Sequence, residues 1–231
     1  MMGKGYLYND QMSMFGSREI IGFGNDEFQV KEIQRDLANK TIKENHYSKK
    51  VYSATYIHLG VFIKNNFVGV LQYGYAMNPA SCGSVVEGTE MNQYLELNRM
   101  WLSDTAPRNS ESKALSYSFK YIRGKFPKIK WIQSFADERC GGFGIVYQAA
   151  SFSFYGEHNA LFWTLHGEVY HNSLMTRNPG LSRSAAYLQE HKEEATSETL
   201  RQFRYIKFLD QRWKKRCLLT EKPYLKHYNG D

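Results

Sequence analysis

Apolar positions recur at several different spacings along this chain, and each spacing predicts an element. Over residues 27–45, Phe28, Val30, Ile33, Leu37 and Ile42 fall on roughly one side of a helix, with Asn25-Asp26 placed to cap it. That helix is expected to end at Asn45-His46-Tyr47-Ser48. Residues 55–64 and 67–75 are rich in Val, Ile, Tyr and Phe and flank Asn65-Asn66, a pair that tolerates the positive φ of a tight turn. They predict a hairpin. A linker over residues 77–92, carrying Pro79, Gly83 and Gly88, leads to a third strand over residues 94–102.

Downstream, Asn109-Ser-Glu-Ser112 is a capping signal ahead of a helix with Leu115, Phe119 and Ile122 on one side and Gly124 just past its end. Residues 130–136 read as a buried strand, 144–150 as a short helix, 152–155 as a short strand and 160–170 as a long one. Strands alternating with helices predict an α/β chain with a mixed sheet flanked by helices. The expected division is one α/β unit over residues 1–180 and a basic helical extension over residues 181–231. In that extension Leu200, Phe203, Ile206, Leu209 and Trp213 recur at helical spacing, which would hold Arg201, Arg204, Lys207, Lys214 and Lys215 outward.

Composition narrows the class. With 231 residues, 42% hydrophobic, and 17 Tyr, 14 Phe and 4 Trp, the chain can bury a full core, which excludes a disordered tail or a stapled mini-protein. Cys82, Cys140 and Cys217 fit no metal-binding C-x-x-C spacing. No stretch approaches the ~18–20 apolar residues of a membrane span, and the first residues lack the apolar region of a signal peptide. These features predict a soluble protein of a reducing cytoplasm, with no membrane partner and an oligomeric state left open, a dimer included.

Charge changes the picture more. Residues 201–228 hold nine basic and two acidic side chains, so the whole formal excess of +7 resides there. Such a face would attract phosphate backbones by releasing counterions; a solvated helix face is the bland alternative. Lys49 and Lys50 add two more cations beside His46.

Three places carry candidate chemistry. The strand-to-helix junction over residues 99–116 offers Arg99, Arg108, Ser110 and Ser112 as donors to a phosphate, although an ordinary capped helix explains the same residues. Asp137 closes a strand just before Gly141, Gly142 and Gly144, and Tyr147 follows on a short helix. A carboxylate and a phenol there would suit proton transfer, and a glycine turn with a packed tyrosine would look the same. At the end of the first helix, His46-Tyr47-Ser48 pairs a titratable base with a ring able to stack on an extruded base, where a plain surface histidine is the simpler reading. The chain has no P-loop, H-E-x-x-H, zinc-deaminase, G-x-S-x-G or Rossmann signature.

In this order the helix, His46-Tyr47-Ser48, the hairpin, the Arg99 strand, the capped helix, the Asp137 strand and the Tyr147 helix resemble the GNAT N-acetyltransferase fold. Tyr147-Gln-Ala-Ala-Ser-Phe-x-x-x-Gly156 is similar to that superfamily's late motif. Over residues 3–231 the chain more closely resembles the Mom family of phage DNA-modification proteins. The resemblance implies a GNAT-like, mostly antiparallel central sheet, and an enzyme that puts a carbamoylmethyl group on the 6-amino group of adenine in DNA, protecting phage DNA from restriction in the host cytoplasm. It matches Tyr147 to the general acid and puts His46, Tyr47 and Asp137 at the mouth of the acceptor cleft, so that these four are the expected catalytic residues. It matches Arg99 and Ser112 to phosphate-contacting donor-site positions, which Arg108 and Ser110 at the same helix start would complete. The superfamily's R/Q-x-x-G-x-G/A loop appears here as Arg108-Asn-Ser-Glu-Ser112-Lys-Ala114, with serine where glycine is expected.

The atoms of the added group bear on the donor. A carbamoylmethyl group adds nitrogen, which an acetyl group does not supply, whereas a glycyl group has the same added composition. Glycyl-tRNA, or another activated glycine, is therefore one expected donor and acetyl-CoA the competing one. No metal is predicted, because no 2-His-1-carboxylate arrangement is legible; an iron site assembled from distant residues stays open. Two other classes remain: an acetyl-CoA-dependent N-acetyltransferase acting on a protein or small amine, and a non-catalytic nucleic-acid binder.

Overall fold

Successive antiparallel pairings build the first half of the chain. The computed structural model describes residues 3–12, 18–140 and 142–226. Strands β1 (Gly5–Met12), β2 (Arg18–Asn25) and β3 (Phe28–Glu32) pair in turn, helix α1 (Arg35–Asn45) follows, and β4 (Thr55–Ile63), β5 (Asn66–Gly74) and β6 (Tyr94–Leu102) continue the antiparallel run. Helix α2 (Ser110–Lys125) then crosses over to β7 (Trp131–Asp137), which pairs parallel with β6. The remainder is α3 (Ile145–Ala149), β8 (Ser153–Leu165), β9 (Glu168–His171), α4 (Arg183–Glu190) and β10 (Thr196–Phe208). The strand order is β1-β2-β3-β4-β5-β6-β7-β10-β8-β9, a mostly antiparallel mixed sheet. Among the described residues no helix is long and apolar enough to cross a membrane.

The chain divides into two compact units. The first holds residues 1–134, 145–155 and 205–224, the second residues 135–144, 156–204 and 225–231. In the first, Tyr94 stacks on Trp131 at 4.7 Å amid Val86, Tyr155, Ile206 and Phe208. Helix α1 buries Ala38 and Ile42 against Val70, and α2 buries Leu115, Phe119 and Ile122. In the second, Ala160, Phe162 and Leu200 form a smaller cluster with Val169.

Several expectations change here. The helix expected over residues 27–45 starts only at Arg35, because Phe28, Val30 and their neighbours pair with β4 as β3. Asn25 caps a turn instead of a helix, its Oδ1 accepting from the Phe28 N–H at 3.1 Å. The hairpin turn centres on Lys64 and Asn65, with φ of 47° and 65°, one residue earlier than Asn65-Asn66. Asn109 does precede α2, in a left-handed conformation and without a side-chain cap, and Gly124 lies inside the helix. Residues 153–165 run as one strand where two were expected.

The largest correction is the basic extension. Residues 196–208 form strand β10, not an amphipathic helix, and lie between β7 and β8 in the strand order. Leu200, Phe203, Tyr205, Ile206 and Phe208 are all buried, so both faces are covered. A strand buried on both faces reads as a near-continuous apolar run, and within it a three-residue spacing arises without a helix. Trp213, Lys214 and Lys215 follow in a separate 3₁₀ turn, Gln211–Arg216.

Candidate active site

A bulge in β6 shapes the region around Arg99. Tyr73 pairs with Leu97 and Gln72 with Arg99, so Asn98 is an extra residue in the strand. The Arg99 guanidinium donates from Nε to the Lys50 carbonyl at 2.9 Å and from NH1 to the Asn98 carbonyl at 2.6 Å, and lies 6.0 Å from the Tyr52 ring. It thereby ties the loop after α1 to the bulged strand.

That loop is shaped by His46. The α1 helix ends as the His46 N–H bonds the Ile42 carbonyl at 3.0 Å, and the His46 carbonyl accepts from Lys49 at 2.8 Å. The Ser48 backbone N–H donates to His46 Nδ1 at 3.1 Å, with the Ser48 hydroxyl 2.9 Å away. A backbone N–H can only donate, so the neutral imidazole carries its proton on Nε2. Burial, and secondarily the charge of Arg99, hold the His46 pKa down to about 4. The ring is therefore a neutral hydrogen-bond donor near pH 7, not the half-titrated base expected of an exposed histidine. Tyr47 lies on it, rings 4.3 Å apart, and is 56% exposed. Lys49 is exposed and Lys50 half-buried.

A second polar cluster stands where β6 and β7 part. Their last backbone pair is Glu96 with Gln133; one step on, the Ser134 hydroxyl reaches the Leu97 carbonyl at 3.3 Å. The Glu96 carboxylate accepts the Asn98 amide at 3.2 Å on one oxygen and the Gln133 amide at 2.9 Å on the other. Asn98 Nδ2 also donates to the Tyr75 carbonyl at 3.1 Å. Among the described residues, Gln72 Oε1, Asn98 Oδ1 and Gln133 Oε1 are buried side-chain oxygens that accept no hydrogen bond. Such an acceptor costs about 1–3 kcal/mol. Residue order carries one sign of this cluster: Glu96 and Asn98 are polar residues two apart, on one face of a strand whose other polar residue is Arg99.

The donor-side expectations meet mixed placements. Ser110 is buried in the first turn of α2, Arg108 is exposed, and the Ser112 hydroxyl donates to the Asn109 carbonyl at 3.1 Å. Arg99 bonds the Lys50 and Asn98 carbonyls. Tyr147, on α3, packs on Phe152 at 5.4 Å and Tyr205 at 5.3 Å. It also raises the pKa of Tyr73, which burial already pushes well up, and the Tyr73 hydroxyl meets Ser118 at 2.5 Å.

Asp137 and its loop fall in the second unit, described by itself. The carboxylate is buried and accepts the Arg139 backbone N–H at 3.1 Å and Nε at 3.0 Å, with a close ion pair to the far guanidinium nitrogen. It is a paired anion. Arg139 in turn lies 4.3 Å over the Phe162 ring. Gly144 adopts φ 86°, a conformation suited to glycine, while Gly141 lies outside the described residues.

The basic side chains are equally committed. Arg201 donates to Glu138 at 2.7 Å and Arg204 lies 5.1 Å over Phe135. Lys207 donates to the Ser151 carbonyl at 2.9 Å, and Lys214 pairs with Glu221 at 2.6 Å. Lys215 is exposed. The charge excess is thus spread over a strand and a turn, much of it in local pairs.

The model of the Mom protein family matches residues 27–226. The chain belongs to the Mom protein family. A relative, the methylcarbamoylase Mom of Escherichia phage Mu, is 46% identical over 211 residues, covering 90% of this Mom-family chain and 88% of that protein. Among solved structures, a ribosomal-protein-S5-alanine acetyltransferase from Vibrio fischeri has a TM-score of 0.47 at 12% identity, covering 84% of this chain and 98% of that one. A GNAT-family acetyltransferase from Streptococcus pneumoniae has 0.44 at 11%, covering 79% and 99%. A ribosomal L7/L12 α-N-protein acetyltransferase in complex with coenzyme A has 0.45 at 12%, covering 80% and 96%.

Within the Mom-family chain the geometry groups His46, Tyr47, Lys50 and Arg99 into one constellation, followed along β6 by Glu96 and Asn98 and, across on β7, Gln133. An exposed ring, a neutral N–H donor and a set of fixed amides are the groups this constellation offers.

Proposed function

We propose that this protein is an enzyme that modifies adenine in DNA, adding a carbamoylmethyl group to the exocyclic 6-amino group, and that the modification protects phage DNA from host restriction. The observation that carries this reading is membership of the Mom family over residues 27–226, together with 46% identity to a relative named a methylcarbamoylase. DNA is the substrate, and the reaction takes place in the host cytoplasm. In this reading Tyr47 supplies the exposed ring on which the target base stacks, and His46 Nε2–H donates to an acceptor atom of the base or the acyl group. Arg99 holds that loop in place through the Lys50 carbonyl. Tyr147 is the general acid to the leaving group, and Arg108, Ser110 and Ser112 at the start of α2 hold donor phosphates.

The donor carries an activated acyl group. We further propose activated glycine, glycyl-tRNA in particular, with tRNA then a second nucleic-acid partner. The adenine amine attacks the glycyl carbonyl carbon, the ester C–O bond breaks, and the tRNA ribose hydroxyl leaves with the proton. The free glycyl amine then attacks C6 of the purine and the C6–N6 bond breaks. The former N6 ends as the terminal amide nitrogen and the glycyl nitrogen joins the ring, so the second step is an isomerisation with no further reactant. Acetyl-CoA, the competing donor, would need a separate nitrogen source and an oxidant.

Mass spectrometry of nucleosides from plasmid DNA tests both levels, using cells that express the protein and are fed isotope-labelled glycine. The expected product is deoxyadenosine heavier by a carbamoylmethyl group, with the label present as an intact carbon–nitrogen unit. The same product without label would sink the glycyl donor and leave the enzyme reading; no modified nucleoside would sink the enzyme reading itself.

A further inference from the structure

The Asn98 and Gln133 amides have an unambiguous orientation. Both partners of Asn98 Nδ2 are acceptors, the Glu96 carboxylate and the Tyr75 carbonyl, and so is the partner of Gln133 Nε2. Flipping either amide would set oxygen against oxygen. Two oxygens are thus held apart from the carboxylate that fixes them, on residues 9% and 7% exposed, and each accepts no hydrogen bond. Fixed, desolvated acceptors select a donor, because a group presenting a lone pair there would leave all of them unpaired.

From this we infer that Asn98 and Gln133 are specificity-determining residues that accept the two N–H bonds of the target base's exocyclic amino group. The count matches, since an aromatic amine offers two donors and the pair offers two acceptors. Position agrees as well. The cluster lies at the point where backbone pairing between β6 and β7 ends, and Asn98 is the bulged residue whose carbonyl accepts from Arg99, the same guanidinium that holds the Tyr47 loop. In this inference a base stacked on Tyr47 turns its amino edge toward β6, and entry to the buried oxygens requires the fork between β6 and β7 to open. Keto bases are rejected at this point. The inference rests on the adenine-modifying reading.

The test is equilibrium binding of the full chain to short oligonucleotides that differ at one position: adenine, purine or hypoxanthine, in an otherwise adenine-free strand. Purine removes the amino group without adding bulk, and hypoxanthine replaces it with a carbonyl. The wild-type protein is expected to favour adenine over hypoxanthine by about tenfold or more, with purine between them. Asn98→Ala combined with Gln133→Ala should bring the three within about twofold while leaving affinity for the adenine-free strand unchanged. Should that double variant fail to fold, as judged by its thermal melt, the wild-type ranking of purine against hypoxanthine still decides. Equal binding of all three by wild type, or full preference retained in a folded double variant, overturns the inference. Neither result touches the enzyme reading, which falls only if wild type produces no modified deoxyadenosine.

Discussion

The loop after α1 and the basic stretch over residues 201–216 were both singled out by side-chain type, and the structure treats them in opposite ways. At the loop, residues distant in sequence converge: Arg99 reaches back 49 positions to the Lys50 carbonyl and lowers the pKa of His46 by its charge. Along the basic stretch, Arg201 turns to Glu138, Lys207 to backbone carbonyls, and Lys214 to Glu221. A formal charge counted along a sequence is not an electrostatic surface, because local pairing spends it. A histidine and a tyrosine beside a helix end are held in one place once a distant cation fixes the loop that carries them.

The strongest way to break that contrast is to untie the loop. Arg99→Leu removes both carbonyl contacts from a partly buried strand position, and displacing a substrate-positioning loop by even 1 Å costs about 10²-fold in rate. DNA modification is therefore expected to fall about a hundredfold, with the His46 pKa rising from about 4 toward its ordinary 6.5, as read by NMR titration of the ring protons. Full activity with an unmoved His46 titration would reduce Arg99 to a bystander.

Asp137 sharpens the comparison from the second unit. It was read as a proton acceptor at a strand end, yet it is buried and holds Arg139 through a close ion pair and two further bonds. Asp137→Ala should destabilise by about 2–3 kcal/mol in urea unfolding, because the guanidinium loses its partner, while Asp137→Asn keeps part of the bonding and costs less. Equal stability of Asp137→Ala and wild type would mean that the pair is dispensable, returning Asp137 to the role of an available carboxylate.

How far the residues foretold this molecule depends on where the decisive contact lies. The hairpin of β4 and β5, strand β6, helix α2 and β7 were legible because their periods and turn residues are local. Strand β10 was not, since Leu200, Phe203, Ile206 and Leu209 satisfy a helical period by coincidence and only their neighbours in the sheet decide otherwise. Strand β3 was absorbed into α1 for the same reason. At the site, His46, Tyr47 and Arg99 could be named from residue type. That Arg99 binds Lys50, or that Glu96 orients two amides, depends on a bulge and a strand register that no local pattern records.

The neutral His46 makes a prediction about pH. Its folded pKa of about 4 lies below the ordinary 6.5, so between those values the unfolded chain binds a proton that the folded chain does not. Stability should be fully present above about pH 6.5, fall as pH drops toward 4, and stop falling from this cause below it. Between pH 7 and pH 4.5 the loss is on the order of 2–3 kcal/mol. Urea midpoints at pH 7 and pH 4.5 measure it, and His46→Gln, which never ionises, should show the smaller difference. An identical pH dependence in the variant would mean that other groups dominate.

The smallest expected effects lie in the basic stretch, and there the contrast makes its finest distinction. If pairing removes a cation from the surface field, Lys215→Ala and Lys214→Ala should differ although the residues are adjacent. Lys215 is exposed, whereas Lys214 is engaged with Glu221 at 2.6 Å. For a lysine that contacts a DNA phosphate, removal should lower the slope of log affinity against log salt by about 0.9. Lys215→Ala is expected to show that loss and weaken binding uniformly across sequences, and Lys214→Ala to leave the slope nearly unchanged. Equal slopes for the two variants would show that a surface ion pair leaves its lysine fully available to DNA, as the low worth of exposed pairs permits. The sequence-level count of +7 would then describe the binding surface better than the pairing pattern does.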